Sequence, residues 1–241
     1  VRRWLIDAGN TNIKLARVDG DDWSPVVSIP RHLASELPHY LSEYRSAEVV
    51  QVWASNVAGL DVARQISDAC AQRNWPLVFI AAQTAQCGVR NRYGRSDQLG
   101  SDRWAALIAA WHRVGSACLV VSSGTATTID ALTANGEFAG GLILPGIELM
   151  QRSLAIGTAQ LAVAAGAYAD FPRNTNDAIY SGAIQATCGA IQRQHALLEN
   201  NAPVLLCGGA APLLTPHLSA QIVDNLVLQG LLLIAKEADK A

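Results

Sequence analysis

The sequence has no apolar run of the ~18–20 residues that a membrane-spanning helix needs, and no CxxC pair among its five cysteines. The first absence excludes a helical membrane span, so no membrane partner is expected. Cys70, Cys87, Cys118, Cys188 and Cys207 are scattered and odd in number. That speaks against a disulfide framework or zinc ribbon and for unpaired thiols in a reduced compartment; Cys118 and Cys207 sit inside apolar runs as small core residues. An excess of positive charge is also missing. The formal net charge is −2 with both signs interspersed, and without a basic stripe no nucleic-acid partner is expected. Arg90, Arg92 and Arg95 form only a local cluster. Neither GxxxxGK[ST] nor GxGxxG after a strand occurs, which removes the P-loop and Rossmann readings. His32, His39, His112, His195 and His217 show no HExxH or paired spacing. The opening Val1-Arg2-Arg3 is like a twin-arginine signal for three letters, but its apolar region stops at Asp7; no export signal is read, and the cytoplasm is expected.

What is present is an ordered globular chain of 241 residues, 50% hydrophobic and 16% charged, with only 6% aromatics. Trp4-Leu5-Ile6 reads as a buried strand entering a turn over Asp7 to Thr11, and Asn12 to Val18 alternates as a second strand. Trp23 to Ile29 predicts a third, Leu33 to Tyr44 a helix, Glu48 to Trp53 a strand, Asp61 to Asn74 a helix and Leu77 to Ile80 a strand. Trp104, Leu107, Ile108 and Trp111 have helical spacing in a connecting segment, Gln98 to Val114. The opening pattern then returns about 115 residues later. Ala117 to Val121 is a buried strand entering Ser122-Ser123-Gly124, followed by strands at Thr127 to Leu132 and Phe138 to Leu144. Helices are expected at Glu148 to Gln160, Asp177 to Glu199 and Asn225 to Ala238, with strands at Val204 to Cys207 and Ile222 to Asp224. The Ala- and Gly-rich stretch from Ala155 to Ala169 predicts tight helix packing or a mobile loop. Two halves follow, 1–115 and 116–241.

Holding a polyphosphate requires backbone N–H groups brought close to anionic oxygens, hence glycine, with hydroxyls as further donors. Gly9-Asn10-Thr11 meets that need, with Lys14 a short strand-length away, and Gly124-Thr125-Ala126-Thr127-Thr128 meets it again. One such turn is no more than a β-turn; two at matching places in a repeated strand pattern point to phosphate. Asp7, ending a buried strand, suits Mg²⁺ held through water, or else shapes an Asx-turn. In Leu99-Gly100-Ser101-Asp102-Arg103-Trp104, Ser101 or Asp102 serves as an N-cap, or Asp102 accepts the proton of an attacking hydroxyl while Arg103 balances phosphoryl charge.

These elements, in this order and over nearly the whole chain, resemble the type III pantothenate kinases of the actin-like, sugar-kinase-like ATPase superfamily. The marks are Asp7-x-Gly9-Asn10-Thr11-x-x-Lys14, Tyr93 followed by Leu99-Gly100-x-Asp102-Arg103-Trp104, and Gly124-Thr125-Ala126-Thr127-Thr128-x-Asp130. Gly140-Gly141-x-Ile143-x-Pro145-Gly146, Asn174-Thr175 and Gly208-Gly209 complete them. The resemblance implies an α/β, duplicated ribonuclease-H-like fold of two mixed-sheet halves with the nucleotide cleft between them. It implies ATP-dependent phosphorylation of the primary hydroxyl of pantothenate, the early committed step of coenzyme A synthesis. By motif match Asp7, Ala8, Gly9, Asn10, Thr11, Asn12, Ile13, Lys14 and Thr125 bind ATP. Tyr93, Gly100, Ser101, Asp102 and Arg103 hold pantothenate, with Asp102 as proton acceptor and Arg103 on a substrate or phosphate oxygen. Thr175 reaches pantothenate from the second subunit of a homodimer.

One position departs from the pattern. The family opens its second turn with an aspartate for a monovalent cation, K⁺ or NH₄⁺, and here that place is Ser122. A carboxylate-anchored site is therefore not expected, and dependence on K⁺ should be weak. Two other readings compete. A sugar or acetate kinase of the superfamily is usually longer and is not expected to combine Tyr93 with Gly100 to Arg103. An ATP-binding regulator that has lost catalysis fits Ser122 but not the retained Asp7, Asp102, Arg103 and Thr175.

Overall fold

The computed structural model describes residues 1–41, 50–157, 165–198 and 201–240. By contacts the chain forms two compact units, Val1–Ala109 with Leu226–Ala241, and Ala110–Asn225.

The first unit opens with β1 (Arg2–Ala8), β2 (Asn12–Asp19), β3 (Asp22–Trp23) and β4 (Val27–Pro30). A 3₁₀ turn, Arg31–Glu36, leads to α1 (Leu37–Tyr40), β5 (Val50–Asn56), α2 (Leu60–Ala71) and β6 (Leu77–Phe79). A small hairpin of β7 (Ala85–Gln86) and β8 (Val89–Asn91) precedes α3 (Ser101–Val114). The sheet runs β3-β2-β1-β5-β6, with β4 also on β2. β1 is antiparallel to β2 and parallel to β5. A strand paired on both edges and covered on its faces must be apolar throughout, and Trp4, Leu5 and Ile6 are buried. On α2, the spacing of Val62, Ile66, Ala69 and Cys70 delivers one stripe to the core of Ile6, Ile13, Leu15, Val52 and Ala54.

Prolines account for two departures from expectation. Pro25 interrupts the expected third strand, which is split into β3 and β4, since its nitrogen has no proton for a ladder bond. Pro38 would clash with the preceding turn of a helix begun at Leu33, so the α-helix starts only at Leu37 with proline in its first turn. Residues 42–44 of that expected helix and 48–49 of the next strand lie outside the described residues. The β7/β8 hairpin was not expected. Its turn is Cys87-Gly88, at φ 49° and 80°, the left-handed pair a two-residue hairpin demands, with cysteine where asparagine is the usual signal.

The second unit contains β9 (Cys118–Ser123), β10 (Ala126–Leu132), β11 (Glu137–Pro145), α4 (Ile147–Gly157), α5 (Thr175–His195), β12 (Val204–Cys207), α6 (Ala211–Leu214) and β13 (Gln221–Ile222). Within it the strand order is β13-β12-β9-β10-β11. β9 is antiparallel to β10 and parallel to β12, as β1 is to β2 and β5. The repeated sequence pattern is thus a repeated topology, a three-strand meander extended by parallel strands. Leu119, Val121, Ile129, Ile184, Ile191 and Leu206 make its core. Residues 158–164 of the Ala- and Gly-rich stretch lie outside the described residues. Gly166 lies tight on α5, where a β-carbon would come 2.4 Å from the Asn176 carbonyl oxygen.

The last helix, α7 (Leu226–Ala238), differs from the expected division at 115/116: it belongs to the first unit. It lies against β1 and β5, and at Gly230 it meets α3 so closely that a β-carbon would stand 1.9 Å from the Ala105 carbonyl oxygen. Polar contacts fix its end. Lys236 pairs with Asp21 at 2.8 Å, Arg3 pairs with Asp239, and the Glu237 carboxylate accepts the Cys87 N–H at 2.9 Å.

Candidate active site

In the first unit β1 ends in a tight turn, Gly9 donating its N–H to the Asn12 carbonyl at 3.0 Å. Asn10, Thr11 and Asn12 are exposed there. Ala8 and Ile13, both expected at the nucleotide, have fully buried side chains in the core. Only their backbones are available to a ligand. Asp7 stands in register with Lys14 on β2 and with Ser55 on β5. Strand partners in register share a face, so Lys14, Asp7 and Ser55 form one row across three strands. Burial, and after it the negative charge of Asp102, raise the Asp7 carboxyl to about 7, with Lys14 opposing them in part. The acid of the first turn therefore feels the acid of α3.

The start of α3 is tied to that row. Ser55, fully buried, places its hydroxyl 2.9 Å from the hydroxyl of Ser101. Next to it, Asp102 accepts the Arg103 N–H at 2.8 Å. Gly100 makes room for this, since a β-carbon there would lie 2.6 Å from the Asp102 carboxylate oxygen. Burial pushes the Asp102 carboxyl above the usual range, held back by the N–H and the charge of Arg103. Arg103 is itself buried and directs both terminal nitrogens to the Tyr93 hydroxyl at 3.4 Å, its guanidinium 5.9 Å from the ring centre. Trp104, wholly buried, donates its indole N–H to Gln86 at 2.9 Å. Asp7, Lys14, Ser101, Asp102, Arg103 and Tyr93 are thus linked within one unit. Sequence reading missed Ser55; its one signal was a polar pair, Ser55-Asn56, ending a buried strand just as Asp7 does.

In the second unit Gly124 donates its N–H to the Ala126 carbonyl at 3.0 Å, leaving Thr125 exposed at the tip. Beneath it Ser123 and Thr127 share a buried hydroxyl–hydroxyl bond of 3.1 Å. Ser122 is half-buried on β9, in register with Thr128 and Cys207. Gly146 and Gly208 press against the turn from behind, where β-carbons would come 2.0 Å from the Gly124 oxygen and 2.2 Å from the Ser123 oxygen. Thr175 begins α5 after Asn174, whose side chain caps the helix by accepting the Asp177 N–H at 3.0 Å. It is exposed and borders an open groove with Leu154, Pro172, Arg173, Ala178 and Ile179. Among the described residues no three His, Cys, Asp or Glu side chains cluster as a metal site, and no helix is long and apolar enough to cross a membrane.

Known proteins share this fold and much of this sequence. MreB5 of Spiroplasma citri bound to ADP matches with a TM-score of 0.55 at 10% identity, over 99% of this chain and 97% of that one. Ethanolamine utilization protein EutJ of Carboxydothermus hydrogenoformans gives 0.56 at 14%, over 98% and 89%. At such identities the likeness concerns the fold alone, which is that of the actin-like ATPases, built from two ribonuclease-H-like units. The type III pantothenate kinase of Nitrosospira multiformis is 44% identical over 98% of this chain and 91% of its own length. That of Aromatoleum aromaticum is 45% identical over 97% of each. The family model for type III pantothenate kinase matches residues 4–196, and the chain belongs to that family, the kinases that phosphorylate pantothenate in coenzyme A biosynthesis.

Proposed function

We propose that the chain transfers the γ-phosphoryl group of ATP to the primary hydroxyl of pantothenate, with Asp102 as the proton acceptor. The observation that carries this is the linkage of the Lys14–Asp7–Ser55 row to Ser101 and Asp102 at the start of α3. As the pantothenate oxygen bonds to the γ-phosphorus, the bond from that phosphorus to the β–γ bridging oxygen breaks, the hydroxyl proton passes to Asp102 and ADP leaves. A carboxyl raised by burial is a better base than an exposed one. Phosphoryl transfer asks mostly for positioning and charge balance. The N–H groups of residues 10–12 and the hydroxyls of Thr11 and Thr125 hold phosphate oxygens, and Lys14 offsets their charge. Tyr93, Gly100, Ser101 and Arg103 hold pantothenate.

The residues fit Mg²⁺. The charge of Asp102 disfavours ionisation of Asp7, which a neighbouring cation relieves, and one carboxylate suits an ion that keeps waters and phosphate oxygens. When bound beside Asp7, Mg²⁺ supplies charge neutralisation to the phosphates. A carboxylate-anchored K⁺ or NH₄⁺ has no counterpart at Ser122. Self-association as a homodimer completed by Thr175 is supported by the apolar side chains exposed on the second unit, Ile143, Leu149, Leu154, Ile156 and Phe171. Five buried cysteines with no disulfide among them support the cytoplasm as its place of work.

The test is ADP release from ATP and Mg²⁺ with pantothenate, a hexose or acetate offered separately. Turnover with pantothenate alone is expected. Asp102→Asn should lower kcat by ~10²–10⁴; a loss under threefold removes Asp102 from the role of base.

A further inference from the structure

Tyr93 stands in the irregular segment that joins β8 to α3, and such a loop does not hold a ring still by itself. Its neighbours Arg92, Gly94 and Arg95 are exposed. The ion pair within this loop, Arg95 with Asp97 at 2.6 Å, has both side chains largely in water, and pairs of that kind fix little. The buried polar side chain of the segment is Asn91, the last residue of β8, 7% exposed. Its carboxamide is used at both ends. The oxygen accepts the Tyr93 N–H at 3.0 Å, and the nitrogen donates to the Ser96 carbonyl at 3.3 Å. The Asn91 backbone N–H is in turn bonded to the Thr84 carbonyl at 2.9 Å. One side chain thus closes the loop over residues 91–96 and seats it on the hairpin.

We infer that Asn91 is the positioning residue for the pantothenate subsite: it sets the main chain of Tyr93 so that the phenol meets Arg103 before substrate arrives. The inference rests on the reading that Tyr93 holds pantothenate. Asn91 acts on the backbone of the tyrosine and Arg103 on its hydroxyl. The Arg103 bonds are long, 3.4 Å each, near the limit at which such contacts count as hydrogen bonds. The shorter bond, from the backbone to Asn91 at 3.0 Å, sets the course of the main chain that carries the ring. Because this orders the subsite in the free enzyme, its loss appears in substrate binding rather than in chemistry. Asn91 touches neither reacting group and is not a catalytic residue.

The experiment compares Asn91→Ala, Asn91→Asp and Tyr93→Ala in the full-length enzyme, with KM for pantothenate, KM for ATP and kcat read separately. Asn91→Ala is expected to raise KM for pantothenate about tenfold, the scale of one buried hydrogen bond, leaving KM for ATP and kcat within about twofold. Asn91→Asp keeps the oxygen facing the Tyr93 N–H and lacks the donor to Ser96, so it should recover most of the loss. Combining Asn91→Ala with Tyr93→Ala should add little to Tyr93→Ala alone. An unchanged KM for pantothenate in Asn91→Ala, or a parallel fall in every parameter together with failure of Asn91→Asp to recover, overturns the inference while Tyr93→Ala still impairs pantothenate binding. If Tyr93→Ala itself leaves that KM unchanged, the subsite reading falls, and this inference with it.

Discussion

Gly146 donates its N–H to the carbonyl of Thr125 at 2.9 Å, and a β-carbon on it would lie 2.0 Å from the Gly124 oxygen and 2.7 Å from the Thr125 oxygen. Both obstacles are backbone atoms of the Gly124-Thr125 turn, so they cannot swing away as a side chain would. Gly146→Ala must push that turn off its present course. The expected result is a KM for ATP raised tenfold or more and a loss of about 1–3 kcal/mol in urea unfolding, the range for overpacking. Gly189, on α5, has open space around its α-carbon. Gly189→Ala should leave unfolding unchanged or stabilise it by roughly 0.5–1 kcal/mol. Equal effects from the two alanines would refute the close-approach argument.

Asp7 predicts a cost of function in stability. Its folded pKa, about 7, lies above the ordinary 3.8. Between those values the folded protein holds a proton that the unfolded chain releases. The group's favourable contribution is therefore complete below about pH 4 and disappears as pH rises through 7. Allowing for partial solvent access, the swing is on the order of 2–4 kcal/mol. Asp7→Asn should be inactive yet more resistant to urea than the parent at pH 8 without nucleotide, and nearly equal to it at pH 4. A variant less stable than the parent at pH 8 would mean that the ionised carboxylate is held favourably, with Lys14 outweighing burial.

Much of this site was legible because its chemistry is local in sequence. Gly9 to Thr11, Gly124 to Thr128 and Gly100 to Arg103 each carry their turn or helix start within a few residues, and a strand preceding each turn is a short apolar run. Ser55 was not legible, because its value comes from the parallel pairing of β5 with β1, which sets it beside Asp7 across 48 positions of chain. Asn91 is similar: its role depends on a hairpin whose Cys87-Gly88 turn lacks the usual asparagine. For α7 the apolar pattern announced a buried face and nothing more. Its partner is chosen by the fit of Gly230 on Ala105, which no periodicity records.

Ser55→Ala tests the link between β1 and α3. Removing a buried hydroxyl that meets Ser101 at 2.9 Å should cost about 1 kcal/mol in stability. The half-buried Ser101 can turn to water, so the larger effect falls on substrate orientation. A three- to tenfold loss of kcat/KM for pantothenate is expected, an order-of-magnitude reading of the same bond. Binding of ATP measured by calorimetry should hold within twofold. Equal losses for both substrates would assign Ser55 to general packing.

Ser122 makes the monovalent cation the sharpest point of difference within the family pattern. It is the next-to-last residue of a buried strand, one before the buried Ser123–Thr127 hydroxyl pair, a place where a carboxylate would add a full charge to nearby carbonyl oxygens. Serine adds only a dipole, which binds a weakly hydrated cation poorly. Activity should change less than threefold when KCl replaces tetramethylammonium chloride at constant ionic strength, the constancy keeping charge screening equal. Ser122→Asp should introduce a K⁺ requirement, read as a rise in kcat/KM with KCl that the organic cation does not reproduce. A parent enzyme that is silent without K⁺ would show that neutral oxygens around this turn suffice, and the charge at residue 122 would then not control the requirement.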